Sequence, residues 1–415
     1  MPAGGRALRA SVQRLAVLSF HTSPLVQPGM GDSGGMNVYV RELVASLAQA
    51  GVDCTVYTRA WADDLPEVVD IEPGFRVVHV PAGHPSLPKE ALPSVVDEFA
   101  DGVLDHLAAN PVDAVHANYW LSAVAGHRIK HALDVPLVVT FHTLARVKAA
   151  AGDLEPAHRV AAEEAVIGCA DAILANTGAE VDELVRLYGA EPSRLEVVPP
   201  GVDHAFFSPG ERAGARAALG LGDHPVVLFV GRIQPLKGLN VSVRALARLE
   251  RDDAVLLAVG GTSGPAGEAH LADVRAEAER LGVLDRVRFV EAQPHHLLST
   301  YYRAADVVHV PSRSESFGLV ALEAAACGTP VVATAVGGLQ TLVAHGRSGF
   351  LVDDRDPATW AATTDRVLGD PVLAKRLAAG GVAVARGYTW SSTAARLRRV
   401  YGDLADRRLV ACAAA

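Results

Sequence analysis

Cysteine is scarce. Four residues in 415 are Cys, at positions 54, 169, 327 and 412, and none forms a Cys-x-x-Cys pair. The spacing indicates neither a zinc site nor a disulfide framework. Three of the four lie in apolar segments, which reads as buried thiols in a reducing compartment. Cationic excess is also absent. Lys and Arg total 38 against 47 Asp and Glu, a net charge of −9, which excludes a general nucleic-acid surface and leaves local phosphate sites open. No apolar run reaches the length of a membrane span without charge, proline or glycine, and the first, residues 15–20, is too short for a signal peptide. A soluble, cytoplasmic protein is the expectation. Half the residues are hydrophobic and a fifth are charged, a globular composition, and the length suits two cores better than one.

What is present is alternation. Residues 15–20 form a continuous apolar run of the buried parallel-strand type. After a long loop, residues 38–50 carry apolar side chains at helical spacing and stop at Gly51. Further strands are predicted at 54–58, 76–80, 114–116, 137–141, 172–175 and 195–198, with helices at 95–108 and 157–170. Residues 199–210, rich in Pro and Gly, break the pattern and read as a linker. The alternation then restarts, with strands at 226–230, 254–259, 287–290, 307–310, 331–333 and 349–352, helices at 241–249 and 271–281, and a terminal amphipathic helix at 389–404. Strand and helix in turn imply a doubly wound parallel sheet, built twice. The expected fold class is α/β: two Rossmann-like domains facing a central cleft, with ligands beyond the carboxyl ends of the strands. Residues 1–14 read as a loose tail, 15–200 as the first domain and 211–388 as the second.

Three stretches carry candidate chemistry. Glu315 and Glu323 stand eight residues apart at the start of an apolar helix predicted over 317–327 and closed by Gly328 and Pro330. Glu315 falls at the helix mouth, where N–H groups and the dipole make a polar pocket. Glu323, among Ala, Leu and Val, needs a partner, because a lone buried carboxylate is costly. A ribose diol would supply two hydroxyl donors. The plain structural alternative is a nearby arginine, with Glu315 only capping the helix. The second stretch, Gly29-Met-Gly31-Asp-Ser-Gly34, matches G-x-G-x-x-G literally, yet it starts nine residues past the strand end, and Arg59 stands where a ribose-binding acid would follow the second strand. An anion site is the favoured reading: Gly34 and Gly35 admit close backbone approach, the helix from Val38 aims its N–H groups there, and Asn37 is placed to bond a hydroxyl. A flexible loop is the alternative. In the third stretch, Phe229-Val-Gly-Arg-Ile-Gln-Pro-Leu-Lys-Gly238, Arg232 and Lys237 emerge where a strand gives way to a helix. Two fixed cations would stabilise a departing diphosphate most in the transition state; a solvated surface pair is the alternative.

The Glu pair matches the E-x7-E motif of the retaining GT-B glycosyltransferases of family four, whose first Glu faces the donor sugar and whose second holds the nucleotide ribose. The loop His21-Thr-Ser-Pro…Gln27-Pro28…Gly31-Asp-Ser-Gly-Gly-Met-Asn-Val-Tyr39 is more specific. It resembles the D-inositol-3-phosphate glycosyltransferases, which move N-acetylglucosamine from UDP-GlcNAc to inositol phosphate in the first step of mycothiol synthesis. Sucrose-phosphate synthases carry a related loop. The resemblance extends from about residue 15 to residue 401.

This resemblance implies a GT-B fold whose terminal helix crosses back to the first domain. It implies donor contacts from Gln27, Pro28 and Gly35, diphosphate contacts from Arg232 and Lys237, a uracil contact near Gln293, and donor roles for Glu315 and Glu323. It implies acceptor contacts from His21, Asp32, Ser33, Gly34, Gly35, Met36, Asn37, Lys89, Tyr119, Thr143 and Arg159. The last four offer two charges and two hydroxyl donors for a phosphate if they converge; without the resemblance they read as scattered solvated side chains. Catalysis falls to Arg232, Lys237, Glu315 and His142, with retention of configuration and front-face attack. His142 either contacts the sugar or is a satisfied core histidine. No cofactor is required beyond the UDP-sugar substrate. The family's association with magnesium falls at Tyr302, Arg303, Ala305 and Thr329, which are poor side-chain ligands for it, and no metal is expected for catalysis. His295 and His296 read as solvent-exposed. Family members can dimerise. Domain closure about the 199–210 linker would exclude water.

Three departures from the family pattern, Asn118, Phe141 and a short 148–156 segment, surround the expected acceptor pocket. They leave open the same fold with a different nucleotide sugar or another phosphorylated or polyol acceptor. Two remoter readings are an NADP-dependent oxidoreductase, with Arg59 taking the 2′-phosphate, and a non-catalytic nucleotide-sugar binding protein.

Overall fold

The computed structural model describes residues 12–29, 31–153, 155–405 and 407–412. Most of the expected tail at 1–14 lies outside them, and Arg14 already opens the first strand. The chain divides into two compact units: Met1–Leu25, Tyr39–Pro199 and Trp390–Ala415 form one, and Val26–Val38 with Pro200–Thr389 the other. The segment Val26–Val38, placed by the sequence in the first domain, thus groups with the second unit.

The first unit holds β1 (Arg14–Leu18), β2 (Asp53–Arg59), β3 (Val68–Glu72), β4 (Phe75–Val80), β5 (Ala114–Asn118), β6 (Leu137–Thr140), β7 (Ala172–Ala175) and β8 (Leu195–Val197), in the order β3-β4-β2-β1-β5-β6-β7-β8. All neighbours are parallel except β3 and β4. Edge strand β3 was not predicted. Asp70 and Glu72 interrupt its apolar pattern, and charge of this kind suits an unpaired sheet edge. Helices Val96–Ala109, Trp120–Leu133 and Ala157–Cys169 pack on one another and bury Phe99, Leu121, Ile129 and Ile167 against the sheet. The order reverses between β1 and β5. That switch point is where side chains beyond the carboxyl ends can gather around a ligand. β1 leads to His21, β5 to Tyr119, and β6 to His142 and Thr143.

The terminal helix Trp390–Ala405 belongs to this unit. Leu397, Val400 and Tyr401 bury its apolar face. Thr393 Oγ1 donates to the Pro199 carbonyl at 2.8 Å, and the Tyr401 hydroxyl meets His116 Nδ1 at 2.8 Å. His116 Nε2 meets Thr140 Oγ1 at 2.8 Å, and complete burial holds its pKa down at about 3.

The second unit holds β9 (Val226–Val230), β10 (Val255–Val259), β11 (Val287–Val290), β12 (Val307–Val310), β13 (Val331–Thr334) and β14 (Gly349–Val352), in the order β11-β10-β9-β12-β13-β14, all parallel. Its switch point lies between β9, which leads to Arg232, and β12, which leads to Glu315. The helix predicted over 317–327 runs Leu319–Ala326, with Gly318 at its N-cap in the left-handed region. Among the described residues no helix is long and apolar enough to cross a membrane.

One sequence expectation is corrected here. Cys54 and Cys327 are buried thiols, but Cys169 and Cys412 are joined as a disulfide across 243 residues. A helix end meets the chain's tail, a proximity that sequence spacing cannot express.

Candidate active site

In the first unit, His21, Lys89, Tyr119, Thr143 and Arg159 converge. Tyr119 is the hub. The His21 ring lies 4.4 Å from its ring centroid to centroid, Lys89 Nζ lies 5.8 Å from that ring, and the Arg159 guanidinium lies 5.2 Å from it. Arg159 Nη2 donates to both the carbonyl and the hydroxyl of Thr143 at 3.0 Å. Burial raises the Tyr119 pKa, with Arg159 opposing, so the phenol stays protonated and able to donate at neutral pH. Tyr119 and His142 both have φ in the left-handed region, at 75° and 60°, although neither is glycine. Such backbone strain is concentrated at functional sites.

The Arg159 charge is already engaged. Its Nε donates to Glu163 at 2.8 Å and its Nη1 to Glu155 at 2.7 Å, while Lys148 pairs with the same Glu155. Glu163 also takes the Ala145 N–H and the Tyr188 hydroxyl. Neither glutamate was foreseen. Both lie at four-residue spacing from Arg159, one on each side, the spacing that signals helical ion pairs. The short 148–156 segment thus supplies an anion to the cationic cluster.

His142 sits beside the cluster. Its Nε2 lies 2.9 Å from Asn118 Oδ1, an acceptor only, so Nε2 carries the proton and Nδ1 presents a lone pair. The ring packs edge-on to Tyr39, with centroids 4.7 Å apart. Burial, then His116, holds its pKa down at about 3, so it is neutral at physiological pH. Asn118, a departure from the family pattern, therefore fixes this tautomer, and Phe141 is buried in the core.

The second unit gathers the remaining candidates. Lys237 Nζ donates to Glu315 Oε2 at 2.6 Å, and the Ser312 hydroxyl donates to the same oxygen at 3.2 Å. Glu315 therefore does not cap the helix. Its backbone is held by the Gly338 N–H, which donates to the Glu315 carbonyl at 2.9 Å, and by Gly337, where an added β-carbon would overlap that carbonyl. Glu323 is buried and receives His295 Nε2 and the Tyr302 hydroxyl, each at 2.7 Å. In place of the arginine of the structural alternative stand a histidine and a tyrosine, and His295 is not the exposed residue expected, whereas His296 is. Burial, then the Glu323 charge, raises the Tyr302 phenol far above its usual pKa and keeps it a donor. Each Glu323 oxygen retains capacity for a second hydrogen bond, as a diol would require.

The glycine loop is part of this second set. Arg232 Nη1 lies 3.8 Å from Asp32 Oδ1, Ser263 donates to that oxygen at 3.0 Å, and a β-carbon on Gly34 would lie 3.3 Å from Arg232 Nε. Gln27 Nε2 donates to the Ala292 carbonyl at 2.7 Å, and Gln293 Nε2 to the Glu291 carbonyl at 3.0 Å. Pro28 and Met36 are partly exposed. Asn37 is buried and holds the loop itself, accepting from the Gly34 N–H at 3.0 Å and donating to Ser33 at 3.4 Å. The helix begins at Gly35, three residues earlier than predicted. Of the expected acceptor residues, Asp32, Ser33, Gly34, Gly35, Met36 and Asn37 belong to the second unit with Arg232, and the rest belong to the first.

Arg59 and the magnesium-associated positions have other partners. Arg59 is buried and donates to the carbonyls of Ala82, His84 and Pro85, so it is not available for a 2′-phosphate. The side chains at the magnesium-associated positions are occupied: Tyr302 with Glu323, Thr329 with the Tyr302 carbonyl, and Arg303 with the carbonyls of Ser208 and Phe206. With Ala305 they form no carboxylate set for that ion.

Comparison with known proteins fixes the family. Residues 33–206 match the family described as Glycosyltransferase Family 4, and residues 212–382 that described as Glycosyl transferases group 1. A D-inositol 3-phosphate glycosyltransferase of Streptosporangium roseum is 48% identical over 95% of this chain and 94% of its own. One from Xylanimonas cellulosilytica is also 48% identical, over 95% and 98%. The chain belongs to the D-inositol 3-phosphate glycosyltransferase family. It is a hexosyltransferase with a GT-B fold of two Rossmann-like units. Among solved structures, sucrose-phosphate synthase from Thermosynechococcus elongatus is similar to this enzyme with a TM-score of 0.90 and 33% identity, covering 94% of this chain and 99% of that one. Anabaena HepE shares the fold at a TM-score of 0.75 and 20% identity, over 94% and 99%.

Proposed function

We propose that this enzyme transfers N-acetylglucosamine from UDP-GlcNAc to 1D-myo-inositol 3-phosphate with retention of anomeric configuration, the reaction that opens mycothiol synthesis. The observation that carries the acceptor assignment is the convergence of Lys89, Arg159, Thr143 and His21 on Tyr119. Two cations and two hydroxyls at one point suit a phosphate monoester. Glu155 then competes with the substrate phosphate for Arg159 and Lys148.

On the donor side, Lys237 and Arg232 neutralise the charge that builds on the diphosphate as the glycosidic bond breaks. Glu315 accepts from donor-sugar hydroxyls, held in place by Lys237 and Ser312. Glu323 accepts from the ribose hydroxyls, with His295 and Tyr302 fixing its orientation. The acceptor hydroxyl attacks the anomeric carbon on the face the diphosphate leaves. The bond to UDP breaks, and the acceptor's proton passes to the departing phosphate oxygen. His142, neutral at physiological pH, contacts the donor sugar. Metal has no assigned step, because the two cations already supply the electrostatic stabilisation.

The test is proton NMR of the product formed from UDP-GlcNAc. The account expects the anomeric coupling of the donor to be preserved. An inverted product would contradict the front-face step. In parallel, Lys89→Ala should raise the acceptor KM at least tenfold with little change in the donor KM; an unchanged acceptor KM would remove the phosphate from this cluster.

A further inference from the structure

The first unit holds a second cluster that glycosyl transfer does not use. His127 and His131 lie one turn apart on helix Trp120–Leu133, Cys169 ends helix Ala157–Cys169, and Cys412 comes from the carboxyl-terminal tail. One nitrogen or sulfur atom from each lies within 4.8 Å of all the others. The two imidazole Nε2 atoms face each other at 3.2 Å. Cys169 Sγ lies 3.5 Å from His131 Nε2, and Cys412 Sγ lies 3.3 Å from His131 Nε2 and 3.7 Å from His127 Nε2. We propose that, with both thiols reduced, these four residues hold a structural Zn2+ ion.

The two imidazoles aimed at the sulfurs give this cluster a use beyond the disulfide once the thiols are reduced. Zinc bonds of about 2.0–2.1 Å to nitrogen and about 2.3 Å to sulfur, set tetrahedrally, give ligand-to-ligand edges of roughly 3.3–3.8 Å. The His127–His131 separation and the three nitrogen–sulfur separations given above lie within about 0.2 Å of that range, and the two sulfurs, joined in this structure, would part on reduction. A disulfide bond makes no use of two histidines aimed at its sulfurs. Two neutral imidazoles facing through Nε2 satisfy each other with one hydrogen bond, whereas a cation takes a lone pair from both. Two imidazoles and two thiolates are a borderline-soft set that suits Zn2+ and disfavours Mg2+ or Ca2+. Four protein ligands complete the tetrahedron and leave no open position, so the role is structural. Binding involves no oxidation: each thiol releases one proton as its sulfur bonds the ion, and the histidines bind as neutral rings.

The surroundings place the tail for this task. Lys130, between the two histidines in sequence, pairs with Asp171 in a buried bridge and donates to the carbonyls of Cys169 and Val410 at 2.7 and 3.2 Å. Asp171 accepts from the Val410 N–H at 2.7 Å. The tail is therefore held two residues before Cys412, and the ion would fasten it to the carboxyl-terminal ends of two helices. The amino-terminal ends of those helices adjoin Tyr119 and carry Arg159, so the site would brace the elements behind the Tyr119 cluster without touching it.

The test uses the full chain, purified without metal-affinity steps in the presence of a phosphine reductant. Elemental analysis should find about one zinc per chain, and cobalt exchange should give the visible d–d and thiolate charge-transfer bands of a tetrahedral S2N2 site. Cys412→Ser and His131→Gln should each lose the metal and the bands while keeping the native circular dichroism spectrum. Cys327→Ser, a change at a thiol outside the cluster, should retain them. Chelation should lower the melting temperature of the parent chain and leave the two ligand variants unmoved. A fully reduced chain that takes up neither Zn2+ nor Co2+ would overturn the proposal and leave a plain disulfide. Metal uptake unchanged in both ligand variants would overturn it equally.

Discussion

At the scale of single residues, groups that act on charge are distinct from groups that hold position. Lys237 and Glu315 are partly exposed and pair with each other, so removing either should cost little stability. Lys237→Ala is expected to lower kcat by about 10²–10³-fold with the melting temperature nearly unchanged, because its cation acts on charge that develops in the transition state. Steady-state UDP release and a thermal melt check both halves. Arg159 is different. It is buried between Glu155 and Glu163, so Arg159→Ala takes the cation from the fully buried Glu163 and should destabilise by about 3–5 kcal/mol, which confounds any reading of activity. Glu155→Gln is the cleaner probe. It removes the competing anion and should lower the acceptor KM several-fold; a raised KM would show that Glu155 positions Arg159 for the substrate. Much of this was legible in the sequence. Glu315 and Lys237 stand in recognisable motifs, and the family resemblance points to Tyr119 and Arg159. His295, Tyr302 and Glu155 were missed because each partner is fixed by folding, and none lies in the motif it serves. Asn37 was read only toward a ligand hydroxyl, although a residue so placed can equally close its own loop.

At the scale of elements, the loop before helix Leu319–Ala326 depends on a close backbone approach. Gly337 has φ of 44° and lies against the Glu315 carbonyl. Gly337→Ala should displace Glu315 and reduce kcat on the order of 10²-fold, since misplacement of about 1 Å is enough for that. Gly346→Ala, at a φ of 72° with open space around it, carries the backbone strain alone and serves as the control. If both variants lose the same activity, Glu315 placement is not the cause. The terminal helix offers a second test. Tyr401→Phe removes the hydroxyl that meets buried His116 and should cost about 1–3 kcal/mol in denaturant unfolding. Strand identity was readable wherever the strand is buried on both faces, as in β1, β9 and β12. It failed at β3, whose charges suit an edge. It also failed for helix Trp120–Leu133, which is buried nearly all round and lacks a clean apolar stripe.

At the scale of the whole molecule, histidines with depressed pKa values set a pH limit. His116, His142 and His309 have folded pKa values held down to about 3, chiefly by burial, against about 6.5 unfolded. A depressed folded pKa gives stability that is full above about 6.5 and is lost as pH falls toward 3, at up to about 1.4 kcal/mol per histidine per pH unit. Glu180 works the other way: burial raises its pKa to about 7, so its contribution is lost as pH rises. Three groups against one predict a net fall in melting temperature from pH 7 to pH 5. A flat profile would contradict the burial of these rings. The two-unit plan and both switch points followed from the order of strands and helices. The membership of Val26–Val38 in the second unit did not, because a loop's company is decided by tertiary contacts such as that of Gln27 with the Ala292 carbonyl. The central claim is that the Tyr119 cluster selects a phosphorylated acceptor for a nucleotide-sugar transfer. The direct test is UDP release from UDP-GlcNAc with 1D-myo-inositol 3-phosphate, with free inositol and with no acceptor. Release that requires the phosphate, and that falls at least tenfold in Lys89→Ala at subsaturating acceptor, is the predicted result. Equal slow release under all three conditions would contradict the acceptor assignment.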